Sequence, residues 1–246
     1  RCLAVDLPLH GRTPPRPDHD YSLRTLAASL RDFLVAIDVP AVHLVGNDTG
    51  GAVCQVFAAE WPERLRSLTL TNCDTRGNIP PEPFLRIVDM ARQGRLARIA
   101  TRWVNDLNLA RSERNIGAGY RDTSNLSDEA IRHYLGPVMG NEEVAREFEH
   151  FLATALREED LVAAESKLAR LDVPTLLVWA ADDIFFDVEW ARWLSRLIPG
   201  AGDPVVIKNA ALYFPDERPE ELIPHLRRHW LMAERAASNT GTSTRL

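Results

Sequence analysis

The 246-residue sequence contains only three cysteines. Cys2, Cys54 and Cys73 are odd in number and lack the short paired spacings of a metal site. Free, buried thiols in a reducing, cytoplasmic compartment are the expectation. No apolar run approaches the roughly 20 residues that span a bilayer, and no leader-like segment opens the chain. Positive charge is not in excess: 29 Lys and Arg stand against 35 Asp and Glu, a net charge of -6. Neither nucleic acid nor an anionic membrane is therefore an expected partner; a small-molecule substrate is. No ligand cluster and no glycine loop followed by lysine occurs, so no metal or organic cofactor is implied. The remaining composition, 45% hydrophobic and 26% charged, is that of a globular chain able to bury a substantial core.

The most informative stretch is Val42-His43-Leu44-Val45-Gly46-Asn47-Asp48-Thr49-Gly50-Gly51. An apolar strand runs into a glycine-flanked acid and then into a helix whose apolar face includes Val53, Val56 and Phe57. A strand that turns sharply into a helix strains its middle residue and needs small neighbours on both sides. Gly46, Gly50 and Gly51 supply them, which predicts Asp48 at the apex of a nucleophile elbow.

Around this stretch, strands and helices alternate in the manner of right-handed crossovers in a parallel sheet. Cys2–Val5 reads as a short strand, and Ser22 as the cap of a helix with Leu23, Leu26, Ala27, Leu30, Phe33, Leu34 and Ile37 on its apolar side. Leu68–Thr71 and Thr175–Trp179 are buried strands, and Pro204–Ile207 is the last strand. Asp187 caps a helix, and a final helix covers Glu220 to about Glu234. Between Pro80 and about Glu165 the pattern is helical, with Ser127 capping a helix that ends at Gly136-Pro137. Expected boundaries are a first core part over 1–76, a helical lid over 77–165, a second core part over 166–235 and an unstructured tail over 236–246. The lid arginines (Arg86, Arg92, Arg95, Arg98, Arg102) read as a solvated face.

The succession of Asp6-Leu7-Pro8-Leu9-His10-Gly11-Arg12, the elbow, a helical insertion, Val173–Asp183 and Phe214–Leu222 resembles the α/β-hydrolase fold. Within it the chain is most similar to the branch with an aspartate nucleophile, the haloalkane dehalogenases and epoxide hydrolases. The resemblance starts at what would be the fourth strand, implying a missing N-terminal piece and with it the family's H-G-x-P loop. It implies Asp48 as nucleophile and a supporting acid, for which Asp183 is preferred and Asp74 is the alternate; a turn-capping role is the other reading of either. Thr49 stands where dehalogenases carry a halide-binding tryptophan or a carboxylate-binding arginine. With Trp103, Tyr120 and Tyr134 of the lid, it makes the candidate oxyanion and substrate-binding set, packing being the alternative for the tyrosines.

The family's catalytic histidine is expected at Leu212, and none of the seven histidines lies in that loop. His43 reads as a satisfied core residue, His10 as part of a structural loop, His225 and His229 as last-helix residues, and His133 and His150 as lid residues. A serine at the elbow would be inert without a base, but a carboxylate is already ionised at neutral pH. Asp48 could attack carbon unaided and form an ester, whose hydrolysis ordinarily needs an activated water. Three readings stay open: a hydrolase of small apolar electrophiles such as haloalkanes or epoxides; a non-catalytic binding or scaffold protein on the same fold; and a cofactor-free enzyme using Asp48 as acid or base.

Overall fold

Alternation of apolar β-runs with amphipathic helices produces the order seen in the computed structural model of the chain. It describes residues 1–16 and 19–242. The elements are α1 (Leu23–Ala36), β1 (Val42–Asn47), α2 (Asp48–Glu60), β2 (Leu65–Cys73), α3 (Leu85–Arg92), α4 (Leu96–Asn105), α5 (Leu107–Ala110), α6 (Asp128–Met139), α7 (Glu142–Thr154), α8 (Glu158–Leu168), β3 (Thr175–Ala180), α9 (Val188–Leu197), β4 (Val205–Ile207), α10 (Phe214–Glu217) and α11 (Pro219–Thr242). The four strands form one parallel sheet in the order β1-β2-β3-β4. Among the described residues no helix is long and apolar enough to cross a membrane.

Period-2 alternation divides the interior in two. Leu177 and Trp179 of β3 point into a large core shared with α1, α2 and the inserted helices, whereas Val178 and Ala180 join Ile207, Phe214 and Leu222 beneath α11. Ser22 and Asp187 cap α1 and α9 as expected, accepting from Thr25 N and Glu189 N. His43 is satisfied within the fold: Nδ1 pairs with Ser67 Oγ at 2.8 Å and Nε2 with Glu234 at 3.1 Å.

Three expectations differ from the structure. Cys2–Val5 is not a strand, because no described strand lies alongside to accept its hydrogen bonds; consequently Cys2 is exposed, while Cys54 and Cys73 are buried. α6 runs through Gly136-Pro137 to Met139, the proline in its last turn removing only the one N–H that would have met His133 O. α11 continues over Ala236 to Thr242, through the start of the segment expected to be an unstructured tail, because Ala233-Glu234-Arg235-Ala236-Ala237 is a run of strong helix formers. Residues 243–246 of that expected tail lie outside the described residues.

The elbow is built by two glycines rather than three. A Cβ on Gly46 would come within 2.8 Å of Gly50 O, and one on Gly51 within 2.3 Å of Cys73 Cβ, whereas one on Gly50 would meet nothing within 4 Å. Gly51→Ala is therefore expected to destabilise the protein by about 1–3 kcal/mol. Gly50→Ala should be neutral or stabilising by up to about 1 kcal/mol. Denaturant unfolding of the two variants beside the wild type checks the contrast.

Candidate active site

Asp48 occupies the turn between β1 and α2 with φ at +54°, in the left-handed region that only a few non-glycine side chains tolerate. Its backbone bridges to Cys73 at the end of β2, so Asp74, the next residue along, is carried to the same sheet edge. Asn47, one step before the apex, donates from Nδ2 to Thr71 Oγ1 (3.0 Å) and to Leu212 O (3.2 Å). These bonds tie the elbow to β2 and to the loop after β4.

Asp48, Thr49 and Asp74 open onto one cavity of about 590 Å³ roofed by the inserted helices. Trp103, Phe148, Phe151, Leu152 and Met139 come from the insertion, and Phe185, Phe186 and Leu212 from the loops after β3 and β4. The lining is predominantly apolar, with Arg86, Arg114 and Glu113 also on the wall. Arg86 is exposed, as expected of a solvated face, and also donates to Arg114 O at 2.9 Å.

The acids divide by environment. Burial pushes the Asp48 carboxyl up to about 6, against the stabilising Thr49 N–H and the Tyr213 hydroxyl. Asp74, 2% exposed, is pushed well above the usual carboxylate range by burial and then by the neighbouring Asp48 charge; the Thr49 hydroxyl, donating to its Oδ2 at 3.0 Å, only partly opposes this. Asp183 is held by Asn72 Nδ2 (2.7 Å) and Phe185 N (2.9 Å), and burial lifts it to about 7. It is absent from the cavity lining, where the alternate acid Asp74 is present.

Tyr120 and Tyr134 do not line the cavity. Both hydroxyls donate to Asp216, at 2.6 and 3.1 Å, while Glu217 accepts from Arg121 N, Asp122 N and Asn125 Nδ2. These bonds fasten the insertion to α10. Two residues escaped the sequence reading. Asn72 spans the ends of β2 and β3, accepting from Ala180 N at 2.7 Å and donating to Asp183. Tyr213, immediately after the position of the missing histidine, presents its hydroxyl to Asp48. Its neighbour Gly119 lies so close that a Cβ there would meet the Tyr213 ring at 2.4 Å. A polar aromatic beside Leu212 was the signal available.

The histidines do not replace the missing base directly. None hydrogen-bonds Asp48, Asp74 or Asp183 among the described residues. His10 alone lines the cavity, its Nδ1 donating to Pro8 O at 3.0 Å and its ring edge-on to Phe148 and Phe151. Burial lowers its pKa, so the imidazole is neutral at pH 7. His229 donates to Leu68 O at 3.2 Å. Among the described residues no group of three or more His, Cys, Asp or Glu is arranged to hold a metal ion.

Asp48 and Asp183 bind protons more tightly folded than unfolded, which favours the folded state at low pH and is lost as pH rises from about 4 through 6–7. Asp48→Asn abolishes its share of that loss. The variant should therefore match the wild type near pH 4 and exceed it at pH 8 by up to about 3 kcal/mol, as unfolding at both pH values would register.

A family model described as the alpha/beta hydrolase fold matches residues 1–219. The 2-hydroxy-6-oxononadienedioate/2-hydroxy-6-oxononatrienedioate hydrolase of Cupriavidus pinatubonensis is 25% identical over 201 residues, covering 82% of this chain and 66% of its own. The hydrolase of the same name from Paraburkholderia xenovorans is 26% identical over 163 residues, 66% of this chain and 53% of its own. The chain thus spans about half to two thirds of the length of these curated relatives. Among solved structures, haloalkane dehalogenase DbeA from Bradyrhizobium elkani superposes with a TM-score of 0.75 at 17% identity, over 94% of this chain and 80% of that one. The epoxide hydrolase CorEH gives 0.69 at 19% identity, over 92% and 80%. The chain belongs to the α/β-hydrolase family.

Proposed function

We propose that the protein is a hydrolase in which Asp48 attacks a small apolar electrophile, an alkyl halide or an epoxide, and is transiently esterified. The carrying observation is a half-buried carboxylate at the elbow apex, facing a predominantly apolar cavity and in no ion pair with Arg, Lys or His among the described residues. With its pKa near 6 the group is mostly ionised at pH 7. The apolar walls withhold the water that would otherwise solvate it. The Thr49 N–H and the Tyr213 hydroxyl favour its ionised form, and Trp103 and the phenylalanines supply a surface for a hydrophobic substrate. Asp183, gripped by Asn72 outside the cavity wall, supports the loop that carries Phe185 and Phe186. The named relatives from Cupriavidus and Paraburkholderia hydrolyse carbon skeletons bearing carboxylates, and Arg86 and Arg114 on the cavity wall are the residues such a substrate would need. The apolar majority of the lining favours the uncharged class.

A second reading, a ligand-binding protein without turnover, draws on the leucine at the position of the family's base. The two part on one experiment. Incubation with a panel of alkyl halides and epoxides should add to Asp48 the mass of the alkyl group or of the whole epoxide respectively, and Asp48→Asn should abolish the gain. Thermal stabilisation by the same compounds, with no adduct and no effect of Asp48→Asn, would instead favour binding alone.

Tyr213 provides a further check. Tyr213→Phe removes a donor that favours the ionised carboxylate, so the pH midpoint of Asp48 alkylation should move upward from about 6. Gly119→Ala, by displacing the Tyr213 ring, should move it the same way. The pH profile of adduct formation measures both shifts.

A further inference from the structure

Building on the Asp48 reading, we propose that Asp74 carries the proton in both halves of the reaction, taking the place of a histidine. Its carboxylic acid protonates the oxygen that leaves carbon as Asp48 opens an epoxide. The carboxylate so formed then draws the proton from the water that splits the ester.

The geometry supporting this starts in the backbone. The bridge between Asp48 and Cys73 holds the start of α2 against the end of β2, so the two carboxyls approach one cavity from adjacent strands. Asp74 is buried and forms no ion pair with Arg, Lys or His among the described residues. Thr49 Oγ1 donates to Oδ2, Gln55 Nε2 fixes the Asp74 backbone carbonyl at 2.8 Å, and Oδ1 has no protein hydrogen-bond partner among the described residues. One oxygen is thereby anchored while the other is left to the cavity. Two buried carboxyls side by side do not both ionise readily. The Thr49 N–H and the Tyr213 hydroxyl favour the ionised form of Asp48, which takes the charge; Asp74, to which a single hydroxyl donates, keeps the proton.

The other acids are differently engaged. Both oxygens of Asp183 are occupied, by Asn72 and Phe185 N, and it stands outside the lining. Tyr213 is neutral too, but its hydroxyl is directed at Asp48. His10 is spanned by Phe148 and Phe151 and bonded to Pro8 O.

The cycle balances. An Asp48 oxygen bonds to an epoxide carbon, the ring C–O bond breaks, and the oxygen takes the Asp74 proton. This leaves a hydroxyalkyl ester on Asp48 and a carboxylate on Asp74. Water then loses a proton to Asp74 and adds to the ester carbonyl. Collapse expels the alkoxide, which takes the proton back, and the proton now on Asp48 passes to Asp74. Epoxide plus water gives a vicinal diol. Halide departs without a proton; alkylation removes the Asp48 charge that kept Asp74 protonated, Asp74 then gives its proton to solvent, and its carboxylate serves as base in the second half, so alkyl halide plus water gives alcohol, halide and a proton.

That asymmetry supplies the test, read by quenched intact-mass analysis with styrene oxide and 1-bromohexane as probes. Asp74→Asn is expected to slow capture of styrene oxide by about 10²–10⁴-fold. Capture of the bromide should fall far less, and the resulting hexyl ester should persist where the wild type releases hexanol. In the unaltered protein, capture of styrene oxide should slow in D2O and capture of bromohexane should not, a readout that needs no variant. Wild-type rates of epoxide capture in Asp74→Asn, release of its hexyl ester at the wild-type rate, or an equal D2O response for both probes would overturn the Asp74 role. The same holds if Tyr213→Phe alone loses epoxide capture. Absence of any adduct from either probe in the wild type would instead overturn the Asp48 reading on which this one rests.

Discussion

A negative charge buried without a positive partner is the constraint to which the rest of the site answers. Asp48 and Asp74 share an apolar cavity, and no arginine, lysine or histidine pairs with either among the described residues. Desolvation disfavours both ionised forms, and each charge disfavours the other. The structure resolves the conflict by unequal hydrogen bonding, which leaves Asp48 the more acidic of the two. The same strain makes Asp48 reactive on the proposed reading, because a carboxylate deprived of water gains by bonding to carbon.

Holding that arrangement requires precise backbone contacts. Gly51 lets α2 press on Cys73, Asn47 spans from the elbow to Leu212 O, and Asn72 locks the ends of β2 and β3 together. The inserted helices are bound in as well. Tyr120, Tyr134 and the backbone of Arg121 and Asp122 grip Asp216 and Glu217, while Tyr213 N donates to Gly119 O at 2.8 Å. Any movement of the 3-10 turn at Ile116–Gly119 is thus transmitted to the phenol that meets Asp48.

The elbow, the parallel sheet and the helical insertion were legible in the sequence because each is specified locally. Glycine beside an acid marks the turn, period 2 marks the strands, and Ser22, Ser127 and Asp187 mark helix starts. Asp48 could be found for the same reason. The choice between Asp74 and Asp183 could not, since both follow strands with turn-like chemistry and differ only in which side of the cavity wall they reach. Tyr120 and Tyr134 were expected near the substrate and are instead spent on Asp216, 96 and 82 residues away in sequence. Long-range partners of this kind leave no local pattern. Tyr213 carries no local signal of its own, following Leu212, the position at which the resemblance places a histidine. The Cys2–Val5 segment shows the converse: its strand propensity is real, but a strand needs a neighbour to pair with.

The site depends on two adjacent carboxyls at one cavity differing in protonation at neutral pH. Titration of the aspartate side-chain carboxyls by 13C NMR, with Asp48→Asn and Asp74→Asn used to assign the signals, tests it most directly. Asp48 is expected to titrate near pH 6 while Asp74 remains protonated well beyond that point, and Asp48→Asn to move Asp74 downward. Two carboxyls that both ionise near pH 4, each indifferent to loss of the other, would contradict it.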